Sequence, residues 1–304
     1  MKVTALAGGT GSAKLLRGLV AAGADLTVVA NVGDNFWIHG LYICPDVDIA
    51  VYSLAGIADT ARGWGIDGDT FAMLGQLGAL GSEAWFSLGD RDMAVHLFRT
   101  NLMRAGASLT EVTDKVRARL GVLQDVLPAT DGSLETHILT EEGKMHLQEF
   151  WVKNRGKPGV LGVSYDGAEG CMPTSRALSA IGGADRIVLC PANPVTSIGP
   201  ILSIPGVRTA LKAAKGKVVG VSPMRGASPF SGPAGKLLQG TGVHPDVAGV
   251  VGMYSDFMDA ILVDSTDAAA ADEVKSLGVE PIIADTEMAG ASGEARLAGE
   301  VLRA

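Results

Sequence analysis

The chain has 304 residues, 47% hydrophobic and 19% charged, enough to bury a sizeable core in one large α/β domain or a core with an insert. A net charge of −8 without long acidic runs argues against a nucleic-acid partner, since binding the phosphate backbone needs a basic face. Cys44, Cys171 and Cys190 form no CxxC pair, which gives no zinc site and fits a reduced compartment.

Val3 to Ala7 reads as a first strand, too short for a signal peptide or a membrane span, so a cytoplasmic protein with no membrane partner is expected. The turn Gly8-Gly9-Thr10-Gly11 follows, then a helical pattern through Lys14 to Val20. Leu26 to Ala30 is a second strand, ending in Asn31-Val32-Gly33-Asp34-Asn35, and the whole makes a parallel, right-handed βαβ unit. Residues 50–120 are mostly helical, with segments near 48–60, 70–80, 92–105 and 108–119. Thr136 to Thr140 and Met145 to Trp151 flank Glu141-Glu142-Gly143-Lys144 and read as an antiparallel hairpin. Strands at Arg186 to Cys190, Lys217 to Ser222, Ala260 to Asp264 and Glu280 to Ala284 then alternate with helices near 205–214, 233–240, 268–277 and 291–303. Strands that are apolar throughout and separated by helices predict an α/β fold: a Rossmann-like parallel sheet with helices on both faces. Residues 1–50 and 181–304 form its nucleotide-binding core, and 51–180 a smaller α+β cap.

The glycine turn lies where a strand hands over to a helix, the place where backbone N–H groups and the helix dipole meet an anion. Gly9, Thr10 and Gly11 with Lys14 are therefore candidates for a phosphate ligand. The loop is neither a Walker A motif nor GxGxxG, because Lys14 takes the third glycine position, so NAD is not indicated. Asp46 and Asp48, in Cys44-Pro45-Asp46-Val47-Asp48, either hold Mg²⁺ against a diphosphate or cap the next helix. Arg91, in Leu88-Gly89-Asp90-Arg91-Asp92, suits forked recognition of a phosphate or an ion pair with its neighbours, and His96 is either in the same cleft or packed away. Two loops after later strands carry Asn193, Ser197 and Gly199, then Ser231, Gly232 and Lys236. Their position at the carboxyl edge of the sheet makes them candidates for base or phosphate contacts. No GxSxG, HExxH or Cys–His pair suggests a covalent nucleophile, which favours chemistry by positioning and metal-assisted charge stabilisation.

Taken together, AGGTGSAKLLRGL, ICPDVD, WGIDGDTF, SLGDRDMAVHLFRTNLMRAGASLTEVT, HLQEFWVK, CPANPVTSIGPIL and VSPMRG…SGPAGKLL resemble the 2-phospho-L-lactate transferase family (CofD/FbiA) of coenzyme F-420 biosynthesis, from end to end and in order. The resemblance implies transfer of a phospho-acid from a GDP-linked donor to the terminal ribityl hydroxyl of the deazaflavin Fo, with GMP released. It implies Mg²⁺, a Rossmann-like domain with an acceptor-binding cap, and a homodimer. It places nucleotide contacts at Gly9, Thr10, Gly11, Lys14, Asn193, Ser197, Gly199 and Lys236. Metal or acceptor-hydroxyl contacts fall to Asp46 and Asp48, and contacts with Fo or the transferred phosphate to Arg91, His96 and Trp64. Asp48, Asp46 and Arg91 would carry the catalysis. Phospholactate, phosphoenolpyruvate and 3-phosphoglycerate all stay open as the acid. The alternatives are a YvcK-like regulatory protein that binds nucleotide-sugars on the same fold, and an NAD-linked oxidoreductase, which Asn31 in place of an acidic residue disfavours.

Overall fold

The computed structural model describes residues 1–225, 228, 229 and 233–304, so Ser231 and Gly232 of the expected anion loop lie outside the described residues. Strand β1 (Lys2–Ala7), helix α1 (Gly9–Ala21) and strand β2 (Asp25–Ala30) form the expected βαβ unit. A hairpin of β3 (Phe36–Ile38) and β4 (Leu41–Ile43) leads into α2 (Pro45–Leu54). Helices α3 (Ala72–Ala79), α4 (Asp90–Arg104) and α5 (Leu109–Arg119) precede β5 (Asp125–Pro128). Strands β6 (Glu135–Thr140), β7 (Gly143–His146) and β8 (Gly162–Asp166) make a small antiparallel sheet, followed by α6 (Ser175–Gly183). The rest runs β9 (Arg186–Leu189), α7 (Gly199–Ser203), α8 (Val207–Ala213), β10 (Lys217–Val221), the two-residue pair β11 (Met224–Arg225) and β12 (Ser228–Pro229), α9 (Ala234–Gly240), α10 (Val247–Gly252), β13 (Ala260–Asp264), α11 (Ala271–Ser276), β14 (Glu280–Ala284) and α12 (Gly290–Arg303).

The main sheet is seven-stranded and wholly parallel, in the order β14-β13-β10-β9-β1-β2-β5. The chain winds outward from β1 through β2, then returns to the other side of β1 at β9 and winds the opposite way. Right-handed crossovers on the two sides of that reversal put helices on both faces. Accordingly α1 packs between α2 and α12, whereas α6 packs on α8. Central strands β9 and β13 are buried at every position, as a doubly covered sheet requires. All three cysteines are buried and unpaired, and among the described residues no helix is long and apolar enough to cross a membrane.

Three elements depart from the reading of the sequence. Edge strand β5 comes from within the segment 51–180, pairing Thr27↔Asp125 through Ala30↔Pro128, so the cap lends a strand to the core sheet. A four-residue strand ending in proline carries little periodicity, and proline's missing N–H is tolerated only at such an edge. The β3–β4 hairpin turns on His39 and Gly40, both with positive φ (53° and 73°), as a two-residue hairpin turn demands. Finally, the second strand of the hairpin expected to reach Trp151 stops at His146, and Glu149–Lys153 forms a π-helical turn instead.

Candidate active site

Where the winding direction reverses, between β1 and β9, the loops diverge and leave a crevice at the carboxyl ends of the strands. The glycine turn fills one side of it. A Cβ on Gly8 would lie 2.5 Å from Asp46 Oδ2 and 2.6 Å from Ser197 Cβ, and one on Gly11 would lie 2.3 Å from the Pro191 carbonyl oxygen. Only glycine lets the loops after β1 and β9 close this tightly. The Gly9 N–H donates to Asp46 Oδ1 (2.7 Å), and Ser12 Oγ closes the turn by accepting from Gly8 N (3.0 Å).

A cavity of about 280 Å³ opens beside this turn, lined by Gly8 to Gly11, Asp34, Asp46, Asn193 and Ser197. Asn31 Nδ2 donates to both carboxylates, at 2.8 Å to Asp34 Oδ1 and 2.8 Å to Asp46 Oδ2, and its own Oδ1 accepts from Gly33 N (2.8 Å). Burial pushes the Asp46 carboxyl up to about 6 against the pull of Asn31 and Gly9. Burial, followed by the charge of Asp46, holds Asp34 well above the usual carboxylate range. Among the described residues lining this cavity there is no lysine or arginine. A buried pair of carboxylate oxygens without a compensating cation is a donor set that fits a hard divalent ion such as Mg²⁺. Asp46 does not cap its own helix: the cap position of α2 is Cys44, with no side-chain bond.

A second cavity, about 310 Å³, lies on the other side of α2 and has aromatic walls in Tyr52, Trp64, Phe86 and Trp151. Asp48 and His96 form its polar end. Arg99, 1% exposed, pairs with Asp48 Oδ1, while His96 Nδ1 lies 3.6 Å from Asp48 Oδ2 and 3.1 Å from Arg99 Nη1. On the far side of the imidazole, Nε2 faces Asp92 Oδ1 at 3.2 Å, and the Tyr52 hydroxyl donates to the same oxygen (2.7 Å). Burial raises the Asp48 carboxyl, opposed by Arg99 and then His96. Asp92 ends below its usual range because His96 and Tyr52 outweigh its burial. Asp48, Asp92 and His96 bring one ligand atom each within 4.8 Å, but Arg99 already neutralises Asp48 and a carboxylate faces each imidazole nitrogen. The cluster is held together by the Arg99–Asp48 ion pair, with His96 set between Asp48 and Asp92. Asp48 Oδ2 has no hydrogen-bond partner among the described residues.

The two cavities share a wall made by Gln148 and Trp151, at the π-helical turn. Of the residues singled out in the sequence, Gly9, Thr10, Gly11, Asp46, Asn193 and Ser197 meet in the first cavity, and Asp48, Trp64 and His96 in the second. Asn193 also braces its own turn, accepting from Val195 N (2.9 Å) and Thr196 N (3.2 Å). Four candidates lie elsewhere. Lys14 is exposed on α1. The Lys236 ammonium donates to the carbonyls of Gly156 (2.8 Å) and Lys157 (2.9 Å). Gly199 sits behind the site, where a Cβ would come 2.2 Å from the Tyr165 hydroxyl. Arg91 is exposed and donates to the Asp67 carbonyl (3.0 Å), lining neither cavity. In return the structure adds Asp34, Arg99, Gln148 and Trp151.

Residues 3–300 match the family described as 2-phospho-L-lactate transferase CofD. The chain belongs to the 2-phospho-L-lactate transferase family. It is 42% identical to the 2-phospho-L-lactate transferase of Methanosarcina mazei, over 98% of each chain. It is 43% identical to that of Methanopyrus kandleri, over 100% of this chain and 97% of the other. It is also 43% identical to the phosphoenolpyruvate transferase of Streptomyces griseus, over 92% of this chain and 90% of the other. Among solved structures, a member of the UPF0052 family from Bacillus halodurans superposes with a TM-score of 0.67 at 19% identity, covering 99% of this chain and 98% of that one, a likeness of fold. Membership in a transferase family makes this protein an enzyme.

Proposed function

We propose that this transferase moves a phospho-acid from a GDP-linked donor to the ribityl hydroxyl of the deazaflavin Fo, releasing GMP, in coenzyme F-420 biosynthesis. One observation carries the reading: a polar cavity at a helix N-terminus and an aromatic cavity meet at a shared wall, with one carboxylate of α2 in each. The diphosphate would lie against the N–H groups of Thr10 and Gly11, which as first-turn groups have no partner within their helix. Asp34 and Asp46 would hold Mg²⁺, whose charge offsets that of the diphosphate in a cavity that is otherwise acidic. The flat ring system of Fo suits the walls of Trp64, Phe86 and Trp151. Its terminal hydroxyl would donate to Asp48 Oδ2, the oxygen left over when Arg99 pairs with Oδ1. Asp48 then takes the hydroxyl proton as the oxygen attacks phosphorus.

Phospholactate and phosphoenolpyruvate both fit this scheme, and relatives named for each stand at the same level of identity. The cytoplasm and a homodimer belong to the same proposal. Mass spectrometry of the product formed from Fo, Mg²⁺ and each GDP-linked acid identifies the acid, with GMP released in step. No product from any of them, together with no binding of Fo, would overturn the reading and favour a nucleotide-sugar-binding regulator on this fold.

A further inference from the structure

Gln148 sits where the two cavities join. It is 7% exposed, it lines both cavities, and its side-chain amide makes no hydrogen bond to any described residue. Its backbone is fixed, because the Gln148 N–H donates to His146 Nδ1 (3.1 Å) and a π-helical turn begins immediately after it. An amide that meets no described residue where two cavities join is open to water there, and so is free to donate to a ligand that displaces that water. π-Helical turns concentrate at functional sites for a related reason: they place side chains where a regular helix would not.

We propose that Gln148 is a catalytic residue whose amide N–H groups hydrogen-bond to the phosphoryl group as it passes from donor to acceptor. This rests on the two-cavity reading above. In the transfer, the acceptor hydroxyl oxygen forms a bond to phosphorus while the bond from phosphorus to the oxygen it shares with GMP breaks. The electron pair leaves on GMP and the hydroxyl proton passes to Asp48. The phosphorus must then lie at the boundary of the two cavities, which is the wall Gln148 makes. A neutral donor suits that wall better than a cation would. Asp46 and Asp48 flank it, and a lysine or arginine there would be drawn into a standing ion pair, as Arg99 is. An amide stays available for the negative oxygens that develop during transfer, where a preorganised donor contributes most.

Gln148→Met keeps the length of the side chain and removes its N–H groups; Gln148→Glu keeps the shape and presents a carboxylate to the phosphoryl oxygens. Turnover of Fo with the GDP-linked acid is expected to fall roughly 10²–10³-fold in Gln148→Met, and at least as far in Gln148→Glu. In Gln148→Met the dissociation constants of GDP and Fo, each read by fluorescence titration, should stay within about threefold of wild type, as expected for an interaction made only in the transition state. The thermal midpoint of Gln148→Met should stay close to that of wild type, since the side-chain amide makes no hydrogen bond to a described residue that the substitution would remove. Wild-type turnover in Gln148→Met would overturn the assignment and leave the two-cavity reading standing. A loss of turnover that follows weakened binding of both ligands, or a lowered thermal midpoint in both variants, would also overturn it and make Gln148 structural. A wild-type protein that forms no product is a different result, and it would overturn the reading and the assignment together.

Discussion

Asp46 and Asp48 stand two residues apart in the first turn of α2 and face different cavities. Side chains at that separation point to nearly opposite sides of a helix, so one carboxylate reaches Gly9 N in the glycine turn and the other reaches Arg99 on α4. Replacing each should therefore give a different phenotype. Asp48→Asn should lower turnover by about 10²–10⁴-fold while leaving GDP binding intact, the size of effect that loss of a proton acceptor produces. Asp46→Asn should instead weaken Mg²⁺-dependent GDP binding, as measured by isothermal titration with and without the metal. Equal loss of GDP binding in both variants would contradict the division.

The cavity beside the glycine turn has two carboxylates and, among its described lining residues, no basic side chain. Binding of a diphosphate should then depend on a divalent ion. In Mg²⁺, GDP at about a hundredfold excess over its Kd should add roughly 2.7 kcal/mol of stability. The stabilisation should vanish in EDTA and return on adding the metal. Unchanged stabilisation in EDTA would move the positive charge to another source.

Arg99 is buried and holds the equally buried Asp48. Arg99→Met leaves that carboxylate without its cation and should destabilise the fold by about 3–5 kcal/mol, measured by urea unfolding at pH 7. Adding Asp48→Asn should recover much of the loss, because an amide tolerates the missing charge. A double variant as unstable as the sum of the singles would show that the two groups act independently.

His146 titrates at about 4, lowered first by burial and then by His137, against an ordinary histidine value near 6.5. The folded state is neutral at this position over an interval in which the unfolded chain takes up a proton. Its contribution to stability is therefore complete above about pH 6.5 and is lost as pH falls from there toward 4. His146→Phe preserves the stacking on Phe36 and does not titrate. The drop in urea midpoint between pH 7 and pH 5 should be smaller in this variant than in wild type.

The parallel core was legible because its strands are continuous apolar runs, and the glycine turn because it sits between a strand and a helix. Position along the sheet was enough to bring Asp46, Asn193 and Ser197 to one cavity. Arg99 was not, since its role depends on a carboxylate 51 residues away on another helix. Asp34 reads as an ordinary turn residue until Asn31 is seen to tie it to Asp46. Arg91 drew notice as the cation in a dense polar motif, but the carboxylates around it mainly cap helices. Asp69 accepts from Arg91 N (2.9 Å) and Asp92 N (3.0 Å), and Asp90 accepts from Ala72 N (3.1 Å) and Met73 N (2.9 Å). A motif that locks two helix starts together looks, as a string of letters, like one that binds a ligand.

The pinch at Gly8 limits how this enzyme can be redesigned. With Asp46 and Ser197 occupying the space of a side chain there, segments far apart in sequence are fastened at one point, and none of them can be enlarged alone. Attempts to fit a bulkier acid into the cavity proposed for the donor should therefore leave the glycine turn untouched and begin at Leu147 and Trp151, which line it without taking part in that contact.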